Sequence, residues 1–302
     1  DVKLSEDRVK GYRNFLNKLW NANNFLITNN CDFSTIDKKP TLSININKWI
    51  YAKLIETKNK IEINLKDYRF DEAAKNAYQF TWHSYCDWYL ELSKTILFSE
   101  KEKAKDEVRQ VSAYIFKQIL ILLHPFIPFI TEEIWLKNKF DNSGKDFLML
   151  ANWPSEVFKK DSSINQVDKI IRIVSELRSF KNALSVSPGS FINISIQNIS
   201  KKEQLFFTEN ETILKKLGRI KNLYITDLNK PAATLMVSRD LFRIYFDEDV
   251  DLELIKKNLI TRQNKYQEEM NKISQRLANK GFVDKAPKDI VDQEKTNYNN
   301  LK

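Results

Sequence analysis

The chain has 302 residues, of which 42% are hydrophobic and 12% aromatic, and its formal net charge at pH 7 is +9. This composition is typical of a folded protein with two or three domains and excludes a disordered chain. No apolar run reaches the ~20 residues that cross a bilayer, so we expect no contact with a membrane.

Few residues are suited to covalent or metal chemistry. The five glycines are too far apart to form a dinucleotide-binding fingerprint or a P-loop. Cys31 and Cys86 cannot form a disulfide framework, and His83 and His124 have neither a neighbouring nucleophile nor metal-ligand spacing. We therefore expect no catalytic residue, no metal site and no cofactor in this chain, and a location in the reducing cytoplasm.

The first 140 residues carry the helical spacing of apolar side chains. Acidic residues at helix starts, proline breaks and short links divide this region into separate helices. The predicted helices run from about Ser5 to Ile27, Asn47 to Leu65, Asp71 to Ile96, Lys101 to Leu123 and Pro128 to Trp135. Long amphipathic helices with short connections are typical of an antiparallel bundle, which we predict over residues 1–145.

The first predicted helix has two distinct faces. On a wheel of ~100° per residue with Asn14 at zero, the far side is apolar and is predicted to be buried. This stripe consists of Val9, Tyr12, Leu16, Leu19, Trp20 and Ile27. The polar side consists of Lys10, Asn14, Lys18, Asn21 and Phe25.

The polar side combines an aromatic ring with amide and ammonium groups. Such a combination suits single-stranded RNA, because the ring stacks on a base, Asn binds the base edge and Lys meets phosphate. The alternative is that Phe25 packs against the loop after the helix.

Residues 146–247 carry a different pattern, with short β-rich runs between helical stretches. The strands are predicted at Phe191–Ile196, Leu223–Thr226, Ala233–Val237 and Leu241–Phe246, and the helices at Ser163–Leu184 and Glu203–Leu217. Short strands bounded by turn residues and separated by helices are typical of a small α/β unit. We predict that this unit connects the bundle to the last segment.

Residues 248–302 predict an antiparallel coiled-coil hairpin. Apolar or long side chains recur every three or four residues from Leu252 to Leu277 and again after the turn. Gly281 can end the first helix and Pro287 can begin the second. A two-helix hairpin has little core of its own, which indicates an arm that contacts a partner.

The hairpin also carries basic side chains that can meet phosphate. They are Arg262, Lys265, Lys272, Lys280 and Lys285. The alternative is a solvated face, because Glu268 and Glu269 offset part of this charge.

Several segments resemble the C-terminal half of the valyl-tRNA synthetases, a family of class I aminoacyl-tRNA synthetases. They are Asp7–Ala22, Lys48-Trp49-Ile50, Tyr68–Glu91, Leu123–Trp135 and Asn279–Pro287. The resemblance implies a mainly α fold, with a bundle of the class I anticodon-binding type, a small α/β connector and a coiled-coil arm. The isoleucyl and leucyl enzymes share the bundle but, as families, lack this hairpin turn.

The resemblance implies roles for both ends of the chain. The first helix would lie against the tRNA anticodon loop, with Lys18 and Phe25 near its bases, and the arm would brace the outer corner of the tRNA. The parent enzyme would activate valine with ATP and magnesium and esterify it to valine-accepting tRNA. This chain lacks the His-Ile-Gly-His and Lys-Met-Ser-Lys-Ser motifs of the class I catalytic domain, so we expect it to bind tRNA without charging it.

The resemblance leaves some expectations and alternatives open. Because the chain begins at Asp1 within a helical pattern, we expect it to be part of a longer protein, acting as a monomer on tRNA and not on DNA. A related isoleucyl or leucyl synthetase is one alternative, and a non-enzymatic coiled-coil adaptor is another.

The end of the helix predicted at Ser163–Leu184 and the turn that follows it depart from the family pattern. Lys181 stands where a second arginine is common and Ala183 where an acid is common. Ser187 and Ser190 replace the more usual proline and lysine around Pro188-Gly189. We assign no role to this segment from the sequence.

Overall fold

A computed structural model gives the architecture of the chain. It describes residues 5–33, 40–140, 147–155, 163–197, 199–226, 228, 232–237, 240–246, 252–279, 281–282 and 286–301. The chain divides into two compact units, one formed by Asp1–Ile173 with Lys201–Leu217 and the other by Val174–Ser200 with Gly218–Lys302. The three predicted domains, 1–145, 146–247 and 248–302, stay a prediction.

The described part of the chain is mainly helical, with a small mixed sheet and a helical hairpin, so the predicted fold class is confirmed. The helices are α1 Glu6–Thr28, α2 Asn45–Lys66, α3 Phe70–Gln79, α4 Leu90–Leu97, α5 Glu102–Leu123, α6 Pro128–Asn138, α7 Ser163–Ala183, α8 Lys201–Glu209, α9 Glu211–Gly218, α10 Leu252–Ala278 and α11 Lys288–Leu301. The strands are β1 Ile192–Ile196, β2 Ile220–Tyr224, β3 Ala233–Val237 and β4 Asp240–Phe246. A 3₁₀ turn spans Leu148–Leu150.

The bundle contains a buried polar network at the start of α2. The Glu107 carboxylate on α5 accepts hydrogen bonds from the backbone N–H groups of Ser43 and Ile44, each at 2.9 Å. It also accepts one from the Asn47 amide at 2.9 Å, whose oxygen accepts from the Tyr89 hydroxyl at 2.8 Å. Because the first N–H groups of a helix have no intrahelical acceptor, Glu107 stabilises the start of α2.

The third predicted helix is interrupted by a wider turn. Residues Phe80–Tyr89 form a π-helix between α3 and α4, which we call the π segment. Its hydrogen bonds run from residue i to i+5, so the spacing in sequence between side chains on the buried face differs from that in an α-helix. Tyr85 and Tyr89 are fully buried, whereas Trp88, next to Tyr89 in the sequence, is half-buried.

The buried stripe of α1 differs from the prediction. Val9, Tyr12 and Ile27 are 55%, 64% and 45% exposed, although the wheel placed them in the core. The buried side chains are Phe15, Leu19, Ala22, Asn23 and Leu26. Their centre lies roughly a quarter turn from the predicted stripe, nearer to the polar side. The helix therefore buries the side that contacts the π segment. The Phe15 ring is stacked with the Trp82 ring of that segment and tilted against the Tyr78 ring of α3.

The described strands form one sheet in the order β2-β1-β4-β3. β1 is parallel to β2 and antiparallel to β4, and β3 is antiparallel to β4. One face carries the buried side chains of Ile192, Ile194, Ile196, Phe242 and Ile244, as the alternation of side chains along a strand requires. β2 begins at Ile220, three residues before its predicted start.

The predicted helix over 203–217 is divided in two. α8 ends at Glu209 and α9 begins at Glu211. The Asn210 side-chain amide between them donates to the Phe206 carbonyl at 2.8 Å. Asparagine competes with the helical backbone in this way, which favours a break.

The hairpin consists of α10 and α11 packed against each other. Ile273 and Val291 are buried, and the Arg276 guanidinium contacts the Glu294 carboxylate at 3.1 Å. Leu259 and Tyr266, which the seam pattern also selected, are exposed. The reason is length, since α10 has 27 residues and α11 has 14, so the return helix covers only part of α10.

Candidate nucleic-acid interface

The predicted RNA-contacting face of α1 is divided between exposed and half-buried side chains. Lys10, Asn14 and Asn21 are exposed, whereas Lys18 and Phe25 are half-buried. The last two lie on the edge that faces the π segment and α4, because the buried stripe is closer to them than predicted. The structure brings all five onto one side of a single helix.

Lys18 is held by the π segment. Its ammonium forms an ion pair with the Asp87 carboxylate and lies 4.2 Å from the centre of the Trp82 ring. Asp87 also contacts His83, with Oδ2 to Nδ1 at 3.2 Å. The charge of Lys18 is therefore partly neutralised by an acid that remains accessible to solvent.

Phe25 contacts α4 through its ring. The Lys94 ammonium lies 5.6 Å from the centre of the Phe25 ring and also forms an ion pair with Glu91. A lysine over an aromatic face is a favourable cation–π arrangement. Phe25 is thus neither sealed in the core nor free of neighbours, and part of its ring surface is available for stacking.

The α1 face with Trp82, Asp87, Glu91 and Lys94 forms a surface that we call the α1–π surface. Rings can stack on unpaired bases, ammonium groups can meet phosphate, and carboxylates can accept from base amino groups. Spacing along the sequence identifies the α1 residues but not their partners Trp82 and Lys94, which come from other helices. The structure pairs Asp87 with Lys18 of α1, and Glu91 with Lys94 of the same helix α4.

The buried thiols and the histidine at the helix break have structural roles. Burial raises the pKa of both Cys31 and Cys86 to about 12, so both are neutral thiols near pH 7. His124 Nδ1 lies 2.9 Å from the Thr131 hydroxyl, which links the end of α5 to α6.

The described residues offer neither a cluster of metal ligands nor a helix that could span a membrane. In that part of the chain, no three or more His, Cys, Asp or Glu side chains are arranged to hold a metal ion. No described helix is long and apolar enough to cross a bilayer.

The basic residues of the hairpin are described in part. Lys265 and Lys272 are exposed on α10 and line a groove with Glu268, Glu269, Arg276 and Glu294. Lys280 and Lys285 lie outside the described residues, and for Arg262 only the helical backbone is described. The acids within the groove leave its local charge mixed.

Two family models match the chain. A model described as the anticodon-binding domain of tRNA ligase matches residues 47–196, from α2 to β1. A second model, described as the valyl tRNA synthetase tRNA binding arm, matches residues 251–302, which contain α10 and α11.

Curated relatives match over the length of the chain. The valine–tRNA ligase of Pelagibacter ubique (strain HTCC1062) is 89% identical over 302 residues, which are 100% of this chain and 34% of that protein. That of Bartonella quintana (strain Toulouse) is 32% identical over 98% of this chain and 33% of its own length. That of Zymomonas mobilis subsp. mobilis is 32% identical over 100% of this chain and 34% of its own length.

The chain spans about a third of the length of these relatives, whose names favour a valyl enzyme over an isoleucyl or leucyl enzyme and over an adaptor. The matched region is their C-terminal part. The chain therefore belongs to the valine–tRNA ligase family, of which it forms the C-terminal region with an anticodon-binding domain and a tRNA-binding arm.

Proposed function

We propose that this chain recognises valine-accepting tRNA for an enzyme that activates valine with ATP and esterifies it to that tRNA. The observation that carries the proposal is the match to both the anticodon-binding domain and the valyl arm. The α1–π surface supplies the chemistry that an unpaired anticodon loop requires. The hairpin supplies exposed lysines for the body of the same tRNA.

At the anticodon, we propose different roles for the side chains of α1 according to their exposure. Phe25 has a partly accessible ring that can stack on a base. Asn14 and Asn21 are exposed and can bind a base edge, and Lys10 can meet phosphate. Lys18 reaches RNA by exchanging the Asp87 carboxylate for a phosphate or a base acceptor.

The arm contributes affinity without base specificity. Lys265 and Lys272 are exposed on α10, and their ammonium groups can contact phosphates without selecting a sequence. Arg262, Lys280 and Lys285 are proposed to extend the same contact. The base-selective contacts are thus proposed to lie on the bundle.

The chemical steps are proposed to occur in the part of the parent enzyme outside this chain. We propose that ATP and magnesium bind in that other part of the parent as well, since the sequence of this chain contains neither a dinucleotide-binding glycine fingerprint nor a P-loop. We propose that the parent acts as a cytoplasmic monomer on tRNA and not on DNA.

The experiment is a salt titration of tRNA binding by the whole chain. Unmodified valine-accepting transcript is compared with the same transcript carrying another anticodon. Phe25→Ala should weaken binding to the valine-accepting transcript by about tenfold, because stacking on one base is worth about 1–3 kcal/mol. Phe129→Ala is the matched control, since this phenylalanine is 91% exposed on α6 and does not belong to the α1–π surface as defined above.

Two outcomes would contradict the proposal. Absence of tRNA binding by the folded wild-type chain would exclude the tRNA-binding function. Equal affinities of the Phe25→Ala and Phe129→Ala variants for the valine-accepting transcript would exclude Phe25 as a stacking residue.

A further inference from the structure

The segment that departs from the family pattern surrounds a buried lysine. Lys181 on α7 is 2% exposed. Its ammonium donates hydrogen bonds to the Ser190 carbonyl at 2.7 Å and to the Gly218 carbonyl at 3.2 Å. One side chain thus fixes two backbone segments against α7, the segment before Phe191 and the segment before Arg219.

The backbone beside Lys181 is tightly constrained. A Cβ atom added at Gly218 would lie 3.0 Å from Cδ1 of Ile220 and 3.3 Å from Cδ1 of Leu177, so the chain passes α7 where only glycine fits comfortably. Arg219 follows with φ of 53°, a left-handed conformation that is uncommon for a non-glycine residue. Its carbonyl accepts from the Ile192 N–H at 3.0 Å. The position of Arg219 is therefore set by its surroundings and not by local preference.

The constrained backbone at Gly218 and Arg219 holds the Arg219 side chain close to the Phe191 ring. The Arg219 guanidinium carbon lies 5.7 Å from the centre of the Phe191 ring, which is 47% exposed. Arg219 is exposed, as is Arg178, which precedes Lys181 by one helical turn on α7. We call Arg178, Phe191 and Arg219 the arginine–phenylalanine surface.

The electrostatics around Lys181 favour an anion. Burial, followed by the positive charges of Arg219 and Arg178, lowers the pKa of Lys181 to about 8. The charged neighbours that produce this shift are both cations. A phosphate at the surface would reduce the mutual repulsion of these groups.

We propose that the arginine–phenylalanine surface binds the sugar–phosphate backbone of tRNA outside the anticodon, with Lys181 as its positioning residue. The inference rests on the proposed tRNA-binding function and adds a contact in the unit that contains the sheet. Guanidinium groups fit phosphate in a bidentate manner, and the exposed Phe191 ring beside Arg219 is a platform for an unpaired base or a ribose. A backbone contact predicts an effect that does not depend on the anticodon.

The test uses the whole chain, two unmodified tRNA transcripts that differ in the anticodon, and a series of salt concentrations. Arg178→Gln and Arg219→Gln should each weaken binding to both transcripts by about threefold to tenfold and should each lower the salt slope by about one. Arg172→Gln is the matched control, since Arg172 is an exposed arginine on the same helix, six residues before Arg178. It should change neither quantity.

Lys181 is tested by a readout that separates positioning from binding. Lys181→Met should weaken tRNA binding and should also speed hydrogen exchange at the Ile192 N–H, which depends on the position of Arg219. Lys181→Arg should keep more of the tRNA affinity, and more of the protection of the Ile192 N–H from exchange, than Lys181→Met does. Weaker binding of Lys181→Met with unchanged exchange at Ile192 would overturn the positioning role.

The outcomes also separate this inference from the function on which it rests. If Phe25→Ala weakens binding while the Arg178→Gln/Arg219→Gln double variant keeps the wild-type affinity and slope, only the arginine–phenylalanine surface is excluded. If the folded wild-type chain binds neither transcript, the proposed function and this inference both fail. A loss confined to one anticodon would exclude a backbone contact.

Discussion

We propose that the Lys18 ammonium has two competing partners, the Asp87 carboxylate in the free chain and an RNA phosphate in the complex. In the free chain its ammonium pairs with Asp87 and lies over Trp82. To bind RNA, Lys18 must therefore exchange its ion pair with Asp87 for one with phosphate. This exchange adds less to the binding free energy than a new contact from a lysine that had no ion-pair partner.

Asp87→Asn should strengthen tRNA binding and make its salt dependence steeper by about one unit of slope, because Lys18 no longer has a competing acid. The pair is partly exposed, so the free energy of unfolding should fall by less than about 1 kcal/mol. Binding in a salt series and thermal melting measure the two effects. Weaker tRNA binding by this variant would show that Asp87 itself contacts the RNA.

Glu107 contributes to the dependence of the bundle's stability on pH. Burial raises the pKa of its carboxyl, but hydrogen bonds from Ser43, Asn47 and Ile44 outweigh this effect and hold the pKa below the ordinary value of 4.5. A depressed pKa means that the stabilisation is fully present above pH 4.5 and is lost as the pH falls through the lower folded-state value.

Glu107→Gln should lower the free energy of unfolding at pH 7 by about 1–3 kcal/mol, because charge-assisted hydrogen bonds at the start of α2 are lost. The difference between the wild type and the variant should shrink as the pH falls below about 4. Thermal melts between pH 7 and pH 3 measure it. Glu102→Gln, at an exposed position on the same helix, is the control and should have little effect; a Glu107→Gln difference that does not change with pH would contradict the assignment.

Among the elements, the boundaries of the helices were more predictable than their faces. Acidic residues and prolines act locally, so α2, α5 and α6 begin within two residues of their predicted starts. The rotation of α1 was predicted wrongly because periodicity treats every apolar side chain alike, and Val9 and Tyr12 are apolar yet exposed. The side that packs is selected by tertiary contacts.

The candidate site was predictable on one helix but not across helices. Spacing along α1 places Lys18 and Phe25 on a common side of the helix, and both side chains are half-buried. Their partners Asp87 and Lys94 are about 70 residues away in sequence, and the register of the π segment determines which side chains reach α1. A π-helix produces no recognisable spacing of apolar residues in a single sequence. The contacts of Lys18 with Asp87 and of Phe25 with Lys94 could therefore not be predicted from spacing alone.

The hairpin provides a test of affinity without specificity. Replacing both Lys265 and Lys272 with Gln should weaken binding to tRNAs of any anticodon by the same factor and should lower the salt slope by about two, because phosphate contacts carry no sequence information. Lys202→Gln, at an exposed lysine on α8, should leave the slope unchanged. An effect restricted to valine-accepting tRNA would mean that the arm takes part in selecting the sequence.

At the scale of the whole molecule, the two compact units are proposed to act on one RNA. This proposal predicts a dependence on the length of the RNA. On an isolated anticodon stem-loop, Phe25→Ala should still weaken binding, whereas the Lys265→Gln/Lys272→Gln double variant should bind as the wild type does. Titration of the stem-loop and of full-length tRNA with the same variants measures this difference. Equal losses on both RNAs for the arm variant would place the arm lysines at the anticodon.

The chemistry of the α1–π surface depends on the number of residues in the π segment as well as on the identity of its side chains. A π-helix turns by less than the about 100° per residue of an α-helix, so inserting or deleting one residue between Phe80 and Tyr89 changes the rotation between α3 and α4. Lys94 would then lie at a different angle to Phe25 although no side chain in either helix had been exchanged. Homologous chains that differ here by a single insertion or deletion should therefore present different chemistry to the same loop of RNA.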